Sequence, residues 1–418
     1  MEILVFSQYF YPENFRINSL CDELVRRGYG VTVVTGYPNY PAGKIFDGYG
    51  LGKKYERCRN GVNIIRLPMF PRGKRLPMLL LNVLSYIFSG YIWTLFNRKK
   101  FDLVYFFGLS PVITGLPAVF FKNKNRLPLV SNIQDLWPES MEQVLGIKNR
   151  AASGIINVLI DHLYKQSDLV LCTSKSFVKN ITARGHDEEK VVYWPQFFES
   201  AEGISEEAER PAEFSRGFNI VFAGNIGEAQ GLEAVIDAAA MLRGDVHWYL
   251  IGDGRARAEL MRRAESRKVQ RWVHFLGKKP EAECLRYIKC ADCALLPLKY
   301  GGILSLTIPA KFQTYLSCGV PVLAAACGEV SEITVSEGCG VYAEPENPAE
   351  ISAAVLKLMN MPEDKRREIG LRARECFNKN FRKDRLTDEL EIYFSGLTAE
   401  RSATEGGVIP LHDSGLKI

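Results

Sequence analysis

The sequence feature that most constrains the fold is an alternation of short apolar runs with helical patterns, repeated in both halves of the chain. Each run is rich in Val, Ile, Leu or Phe and ends at glycine or a polar residue, which is typical of strands in a parallel sheet covered on both faces. The runs are Ile3–Ser7, Val31–Thr35, Ile64–Leu67, Leu103–Phe107, Leu129–Ile133, Leu169–Thr173 and Val191–Trp194, then Ile220–Ala223, Trp248–Ile251, Val273–Leu276, Ala294–Leu296, Val320–Ala324 and Val341–Ala343. The pattern predicts an α/β protein with two Rossmann-like, doubly wound parallel-sheet domains.

Composition shifts place the domain boundaries. We expect an N-terminal domain over 1–197, a polar and acidic linker or loop over 198–217, and a C-terminal domain over 218–360. The helical patterns over 361–398 predict helices that either pack on the second domain or cross back to the first. Residues 399–418 are rich in Gly, Ser and Thr, which predicts a disordered tail.

The net charge and the cysteine pattern limit the kinds of partner that the chain can have. The net charge of +5 suits anionic small molecules or an anionic membrane surface, and is too weak to indicate nucleic acid. The ten cysteines include one C-x-x-C, Cys290 and Cys293, without a second pair at zinc-finger spacing, so reduced core cysteines are expected. The start "MEILVFSQYF" is typical of a strand and not of a signal peptide, which favours a cytoplasmic location.

A glycine-rich loop follows the first strand of the second half. The stretch "FAGNIGEAQGLEAVIDAA" places Gly224, Gly227 and Gly231 between a strand and a helix, and it contains no lysine. Free N–H groups at a helix N-terminus bind anions, and glycines let a diphosphate approach the backbone. The spacing differs from the G-x-G-x-x-G of dinucleotide-binding loops, so a diphosphate site is favoured.

Several further motifs follow in order: "WYLIGDGRARAEL", "VHFLGKKP", "ADCALLPLK" and "IPAKFQTYLSCGVPVLAA", with "YFYPENFRINSLCDELVRRGYGVTVVTGYPNYPAG" and "SNIQDLWPES" in the first half. Together they resemble the GT-B glycosyltransferases of family GT4, and among them the bacterial fucosamine (FucNAc) transferases of O-antigen and capsule assembly. The resemblance implies two domains facing across a cleft. It also implies the reaction: FucNAc or a related N-acetyl-6-deoxyhexose passes from a UDP-sugar to an undecaprenyl-diphosphate-linked saccharide. The resemblance implies that the sugar keeps its anomeric configuration.

The resemblance also implies donor-binding positions, several of which have changed here. Where the family has a glycine-arginine pair and a downstream lysine for the diphosphate, this chain has Gly224-Asn225 and Gln230. The family's two glutamates fall near Leu306 and Thr314. We therefore expect Lys311, at the start of a helix, and secondly Lys299 to supply the missing positive charge; the alternative is that either is an ordinary surface lysine.

Two further strand ends complete the expected donor site. Gly252, Asp253 and Gly254 form a turn that faces the nucleotide in the family, although Asp253 could equally be a structural cap. Phe275 and Leu276 correspond to the family's edge that contacts the base through its backbone.

In the first domain, the family's histidine-aspartate pair is replaced by Gln134-Asp135. Gln134 can only position a group by hydrogen bonding, whereas Asp135 is ionisable or serves as a turn cap. Glu13 is the third candidate catalytic residue. Candidate contacts to the acceptor or to a phosphate are Asn14, Arg16 and Glu139.

The segment Arg75–Lys100 contains 22 consecutive uncharged residues, which is long enough to span a bilayer. Because a sheet strand follows it, two readings remain: a buried helix, or an interfacial helix with Tyr86, Tyr91 and Trp93 at headgroup level. The latter predicts peripheral association with the inner face of the cell membrane.

No D-x-D motif occurs, so no metal or other cofactor is expected beyond the UDP-sugar substrate. Two other functions remain open at this point. One is a UDP-sugar epimerase of the same architecture, and the other is a catalytically inactive UDP-sugar-binding subunit, which the lost charges would fit.

Overall fold

The computed structural model describes residues 1–53, 56–73, 75–140, 150–198, 209–242 and 244–405. The chain forms two compact units. The first comprises Met1–Thr173, Phe177–Trp194 and the chain from Thr387, and the second comprises Ser174–Ser176 and Pro195–Leu386.

The first unit is built on an eight-stranded sheet in the order β3-β4-β2-β1-β5-β6-β7-β8. All neighbouring strands are parallel except the pair β3 and β4. The strands are β1 (Glu2–Phe6), β2 (Gly30–Gly36), β3 (Cys58–Arg59), β4 (Val62–Leu67), β5 (Leu103–Gly108), β6 (Leu129–Ile133), β7 (Leu169–Cys172) and β8 (Val191–Tyr193). The helices are α1 (Arg16–Arg26), α2 (Leu76–Phe96), α3 (Leu116–Asn125), α4 (Arg150–Gln166) and α5 (Lys175–Ala183).

The second unit has a six-stranded parallel sheet in the order β11-β10-β9-β12-β13-β14. Its strands are β9 (Phe218–Ala223), β10 (Val246–Ile251), β11 (Val273–Gly277), β12 (Cys293–Pro297), β13 (Val322–Ala325) and β14 (Gly340–Tyr342). Its helices are α6 (Leu232–Met241), α7 (Arg257–Ser266), α8 (Glu281–Lys289), α9 (Ala310–Cys318), α10 (Glu329–Ser336), α11 (Pro348–Met359) and α12 (Glu363–Asn380). The last helix, α13 (Lys383–Glu405), belongs to the first unit from Thr387 onward.

Both sheets contain a point where the strand order reverses. In the first unit β1 lies between β2 and β5, and in the second β9 lies between β10 and β12. The connections leave such a central strand in opposite directions, which opens a crevice beyond the strands' carboxyl ends where ligands of doubly wound sheets bind. The loops after β1 and β5, and those after β9 and β12, are therefore the places to look for sites.

The predicted α/β class with two doubly wound parallel sheets is confirmed, because each apolar run corresponds to one strand. The two-residue strand β3 was not predicted, since it is too short to show a period. The predicted tail begins too early, as α13 continues to Glu405; residues 406–418 lie outside the described residues. Within the predicted linker, 199–208 also lie outside them, while Phe214 is buried in the core of the second unit beside Tyr249.

Helix α2 has two different faces. Asn82, Val83, Tyr86, Gly90 and Thr94 are buried against the unit. A stripe of apolar side chains at four-residue spacing is exposed on the opposite face: Leu80, Leu84, Phe88, Ile92 and Phe96. Among the described residues, this helix is long and apolar enough to cross a bilayer by length and composition alone.

Two of the three aromatic side chains expected at headgroup level, Tyr86 and Trp93, are directed toward the protein instead. Tyr86 is fully buried, and its hydroxyl donates to the Val34 carbonyl oxygen at 3.2 Å. Trp93 stacks on Phe121 with ring centroids 5.7 Å apart. The sequence-based choice of Tyr86 and Trp93 is therefore wrong, because the helix turns these rings inward and presents the stripe outward.

Candidate active site

The glycine loop after β9 lies against the turn after β10. The Gly252 backbone has φ 138°, and a Cβ there would be 1.8 Å from the Gly224 carbonyl oxygen. A Cβ on Gly254 would be 2.2 Å from the Ile226 carbonyl oxygen. These two positions require glycine, because any side chain would force the two loops apart.

An open cleft of about 490 Å³ lies beside these loops. It is lined by Gly224, Asn225, Ile251, Gly252, Asp253, Gly254, Lys278, Lys279 and Cys284. Its size is within the range of small-ligand sites. Five of the predicted donor residues therefore lie together.

Two lysines of this cleft were missed by the sequence reasoning. Lys278 is exposed, whereas the Lys279 ammonium is 2.5 Å from a Glu283 carboxylate oxygen. The hydrogen bond that this ammonium donates to Glu283 raises the pKa of Lys279. The "GKKP" sequence showed both residues, but only their position past the edge strand β11 shows that they face the cleft.

Lys311 lies at the other side of the glycine loop. Its side chain extends from the first turn of α9, and its Cε and Nζ are both 3.8 Å from where a Cβ on Gly224 would be. The ammonium donates to the Gln230 Oε1 and lies 4.6 Å from the Phe222 ring centroid. Burial lowers the pKa of Lys311 to about 7. Gln230, at the position of the family's lysine, and Lys311, its predicted replacement, are therefore in direct contact.

Lys299, two residues after the end of β12, flanks the same loop. Its backbone N–H donates to the Ala229 carbonyl oxygen at 3.0 Å, and its Cγ would be 3.5 Å from a Cβ on Gly231. Because β9 and β12 border the strand-order reversal, Lys299 and Lys311 both lie at the point where a doubly wound sheet binds ligands.

Three predicted donor residues have local structural partners. Asp253 accepts the N–H of the adjacent Gly254 at 2.9 Å. The Thr314 hydroxyl donates to the Ala310 carbonyl oxygen at 3.1 Å within α9. Leu306 ends the 3-10 helix Gly302–Leu306 and offers only its backbone, since its carbonyl oxygen accepts from the Ser174 hydroxyl at 2.6 Å.

Phe275 and Leu276 lie on β11, the edge strand of the second sheet. The register shifts between Leu250 and Ile251, so that Ile251 pairs with Gly277 and Leu276 has no partner in the ladder. The two side chains pack against different core clusters. A ligand at this edge would therefore meet backbone groups.

In the first unit, Gln134 and Asp135 follow β6. The Gln134 amide donates to Asn132 Oδ1 at 2.6 Å. Asp135 is half-buried and accepts from the Ser140 hydroxyl at 2.5 Å. Burial raises the pKa of Asp135, and hydrogen bonds from Ser140, Ser110 and Trp137 oppose that rise. The site thus holds a carboxylate fixed by neighbouring hydroxyls.

Glu13 is buried, and its Oε1 accepts the backbone N–H groups of Asn39 at 2.8 Å and Tyr40 at 2.6 Å. Burial raises its pKa. In the described structure this carboxylate connects the loop after β1 to the loop after β2. The sequence did not reveal this structural role.

The three candidate phosphate or acceptor contacts are not equally accessible. Asn14 is exposed, whereas burial lowers the pKa of Arg16 to about 10. Glu139 is exposed and accepts from the Asn180 amide at 3.0 Å.

Two family models match the chain side by side. Residues 14–196 match the glycosyl transferase 4-like domain, and residues 204–376 match the glycosyl transferases group 1. The chain belongs to the group 1, GT4-like glycosyltransferases. It is therefore an enzyme of this family, with the two-domain GT-B architecture.

Curated relatives of this glycosyltransferase are themselves named glycosyltransferases, and one is named for colanic acid biosynthesis. It is 25% identical over 387 residues to the putative colanic acid biosynthesis glycosyl transferase WcaI of Escherichia coli, covering 87% of this chain and 93% of WcaI. It is 22% identical to the probable glycosyltransferase WbjE of Pseudomonas aeruginosa, covering 68% and 74%. Among solved structures, HepE of Anabaena in complex with UDP superposes with a TM-score of 0.67 at 14% identity, covering 95% of this chain and 100% of HepE.

Proposed function

We propose that this glycosyltransferase takes its sugar from a UDP-sugar and transfers it to an undecaprenyl-diphosphate-linked saccharide in O-antigen or capsular polysaccharide synthesis. The observation that carries the donor assignment is the contact of Lys311 with Gln230 beside Gly224. A half-buried ammonium next to a glycine loop is suited to a diphosphate that approaches the backbone.

The donor diphosphate would be held by the protein's own charges. Lys311 and Lys299 flank the glycine loop, and the N-terminus of α6 follows it directly. Helix N–H groups and ammonium groups stabilise a leaving diphosphate without a divalent cation. We therefore propose a metal-independent reaction without other cofactors.

The proposed reaction retains the anomeric configuration. The acceptor hydroxyl attacks C1 of the sugar from the face of the leaving group as the bond from C1 to the diphosphate oxygen breaks. The hydroxyl proton passes to the departing UDP. Gln134 and Asp135 would position the reacting groups from the first unit, and the hydroxyls around Asp135 would fix its orientation.

The enzyme would work at the cytoplasmic face of the membrane, where such acceptors are assembled. The exposed stripe of α2 supports this location, because a contiguous apolar face on a soluble unit is suited to the boundary between headgroups and acyl chains. Arg98 and Lys100 follow the helix and would interact with anionic headgroups.

The sugar is proposed from sequence resemblance. The motifs "QDLWPES" and "PAKFQTYLSCG" are similar to those of FucNAc transferases, so we propose FucNAc or a related N-acetyl-6-deoxyhexose. The name of WcaI fits a polysaccharide role and does not specify the sugar.

A charge-exchange experiment tests the donor site. Lys311→Ala should weaken UDP binding by about 1–3 kcal/mol, the contribution of a charge-assisted hydrogen bond. The double variant Lys311→Gln with Gln230→Lys should recover most of this loss, because the two side chains are in contact. Calorimetric titration measures both, with the exposed Lys357→Ala as the control. Unchanged UDP affinity in Lys311→Ala would place the diphosphate elsewhere.

Turnover tests the rest of the proposal. UDP-sugars would be screened against undecaprenyl-diphosphate-linked saccharides with mass detection, in the presence and absence of EDTA. We expect one N-acetylated sugar to be transferred at the same rate in both conditions. A requirement for added Mg²⁺ or Mn²⁺ would overturn the metal-independent mechanism, and conversion of the donor without an acceptor would indicate an epimerase.

A further inference from the structure

An open groove lies between β4 and α2 in the first unit. It has a volume of about 550 Å³, which is within the range of small-ligand sites. It is lined by ten residues of these two elements and of the chain directly after them: Ile65, Arg66, Leu67, Pro68, Ser89, Ile92, Trp93, Phe96, Asn97 and Arg98. Because β2 separates β4 from β1, the groove is away from the strand-order reversal where a doubly wound sheet binds its substrates. The candidate catalytic, donor and acceptor residues are not part of its lining.

The packing of β4 and α2 explains why a groove forms here. Strand β3 pairs with Val62 and Asn63, and no other described strand continues along the outer edge of β4. The Ser89 hydroxyl donates to the Pro68 carbonyl oxygen at 2.6 Å, which holds α2 beside the end of the strand. The Trp93 ring is fixed in turn by its stacking on Phe121 of α3. The walls are therefore set by the fold before any ligand binds.

The lining is mostly apolar. Six of its ten residues are aliphatic, aromatic or proline. Two of them, Ile92 and Phe96, are 42% and 79% exposed and also form the end of the exposed stripe on α2. An acyl chain of a bilayer that contacts the stripe can therefore continue into the groove over apolar surface. Each methylene that it removes from water contributes roughly fourfold to affinity.

Positive charge is concentrated where α2 ends. Arg98 lines the groove and is exposed, and it forms no ion pair with a carboxylate of the described residues. The Lys124 ammonium of α3 donates to the Thr94 and Leu95 carbonyl oxygens at 2.6 and 2.9 Å, which brings a second charge to the same helix end. Lys100 is exposed nearby in sequence. The groove thus combines an apolar wall with a cationic end.

This combination selects among possible occupants. The lining contains no Asp or Glu, and its other charged side chain, Arg66, is buried and donates to the Gly36 carbonyl oxygen at 3.2 Å and to the Tyr11 carbonyl oxygen. Arg98 is therefore the lining residue that presents an exposed charge to a ligand. A second copy of the chain on a two-fold axis would place like charges opposite each other, which disfavours a dimer through this face. An amphiphile with an anionic headgroup matches both parts of the groove.

We propose that the groove between β4 and α2 binds one anionic phospholipid, with an acyl chain along Leu67, Ile92 and Phe96 and the phosphate at Arg98. The inference rests on the membrane location in the proposed function and goes beyond it. The stripe alone contacts any bilayer, whereas the groove selects a single lipid by the charge of its headgroup. A lipid held there fixes the end of α2 at headgroup level.

Calorimetric titration of the full-length enzyme with short-chain phospholipids tests the site without a bilayer. The ligands are dioctanoyl-phosphatidylglycerol and dioctanoyl-phosphatidylcholine, both kept below the concentrations at which they form micelles. We expect one phosphatidylglycerol to bind per protein, and the zwitterionic phosphatidylcholine to bind at least fivefold more weakly. Dihexanoyl-phosphatidylglycerol, with two methylenes fewer in each chain, should bind more than tenfold more weakly than the dioctanoyl lipid.

Variants locate the lipid. Ile65→Trp and Ser89→Phe fill the groove and should each weaken phosphatidylglycerol binding tenfold or more, whereas Leu84→Trp, on the stripe but outside the lining, should bind as the wild type does. Arg98→Gln should lower the affinity about fivefold, the contribution of one basic residue beside anionic headgroups. Arg75→Gln, exposed at the other end of the same helix, is its matched control and should leave the affinity unchanged. Circular-dichroism melting checks that each variant is folded, and Ser89 is exposed, so its substitution guards against misfolding of the strand variant.

A stripe variant separates the groove from general membrane contact. Leu84→Ser combined with Phe88→Ser should reduce binding to vesicles and leave the titration with dioctanoyl-phosphatidylglycerol unchanged, because neither residue lines the groove. Loss of the titration in this variant would overturn the proposed site. So would the absence of saturable binding, equal binding of the two headgroups, or unchanged binding by both groove-filling variants.

The outcomes also distinguish this inference from the proposed function. Sugar transfer by an enzyme that binds no phosphatidylglycerol would overturn the lipid site and leave the proposed reaction standing. Phosphatidylglycerol binding that depends on Ile65, Ser89 and Arg98 would support the site even if no sugar reaches a lipid-linked acceptor, in which case the proposed reaction alone fails.

Discussion

At the scale of single residues, Lys311 is the proposed replacement for a binding charge that the family carries at another position of the fold. The family's lysine position holds Gln230, yet the Lys311 ammonium reaches that amide from another helix. The sequence made Lys311 the first candidate because a lysine at the start of a helix adds its charge to the helix N-terminus. The contact itself depends on how α9 packs beside the glycine loop, which no local pattern reveals.

A pH dependence of donor binding follows from the burial of Lys311. Its pKa in the free protein is lowered to about 7, and a bound diphosphate favours the charged form and raises it again. Binding above this pH therefore takes up a proton, so UDP-sugar affinity should fall by up to about tenfold per pH unit as the pH rises above 7. Calorimetry in buffers of different ionisation enthalpy would measure both affinity and proton uptake.

Lys311→Arg provides the control, because guanidinium stays charged throughout this range. A UDP-sugar is preferred to UDP, whose terminal phosphate itself titrates near pH 6. A flat affinity profile for the wild type would show that Lys311 does not contact the donor.

Gln134 and Asp135 should affect turnover and not donor binding. Gln134→Ala and Asp135→Asn should lower the rate of transfer while UDP affinity stays nearly the same, because both residues belong to the first unit and the diphosphate site to the second. Steady-state kinetics and UDP titration on the same preparations check this. Ser140→Ala, which removes the 2.5 Å hydrogen bond to Asp135, should have a smaller effect in the same direction. Full activity of both primary variants would remove these residues from the mechanism.

At the scale of elements, α2 marks the limit of reading faces from a uniformly apolar sequence. All its 21 residues from Leu76 to Phe96 are uncharged, so the pattern could not show which side faces the sheet. Packing determines which face is buried. Gly90 permits close approach to Pro117, and the Tyr86 hydroxyl donates to the Val34 carbonyl oxygen. The same packing leaves Leu84, Phe88 and Ile92 exposed.

Substituting the exposed stripe should release the enzyme from membranes without unfolding it. Leu84, Phe88 and Ile92 are 59%, 67% and 42% exposed, so changing all three to serine removes little core packing. Loss of this apolar area should reduce binding to vesicles containing anionic lipid by tenfold or more. Co-sedimentation measures binding and thermal melting measures stability.

Trp93→Ser is the matched comparison for the inward face. Because the indole stacks on Phe121, this variant should lower the melting temperature and leave the stripe intact. Wild-type vesicle binding by the triple serine variant would contradict an interfacial role for α2.

At the scale of the whole molecule, the sequence predicts the two doubly wound sheets but not where the chain divides. Strand runs and helical periods are local, so thirteen strands were located from them. Where α13 packs depends on contacts between positions far apart in sequence. Arg27 of α1 forms ion pairs with Asp388 and Glu391, and these connect the end of the chain to the first unit.

Phe394 should stabilise the first unit although it lies near the end of the chain. Its ring is fully buried, 6.4 Å from the Tyr29 centroid and 6.1 Å from the Tyr105 centroid. Phe394→Ala should lower the free energy of unfolding by about 3–5 kcal/mol, the usual cost of removing a buried aromatic ring. Ile392→Ala, two residues earlier and 71% exposed, should change it by less than about 0.5 kcal/mol. Chemical denaturation followed by the circular dichroism signal measures both. The proposed diphosphate site belongs to the second unit, so the folded Phe394→Ala protein should bind UDP with wild-type affinity. A parallel loss of UDP binding would show that destabilising the first unit also disturbs the second.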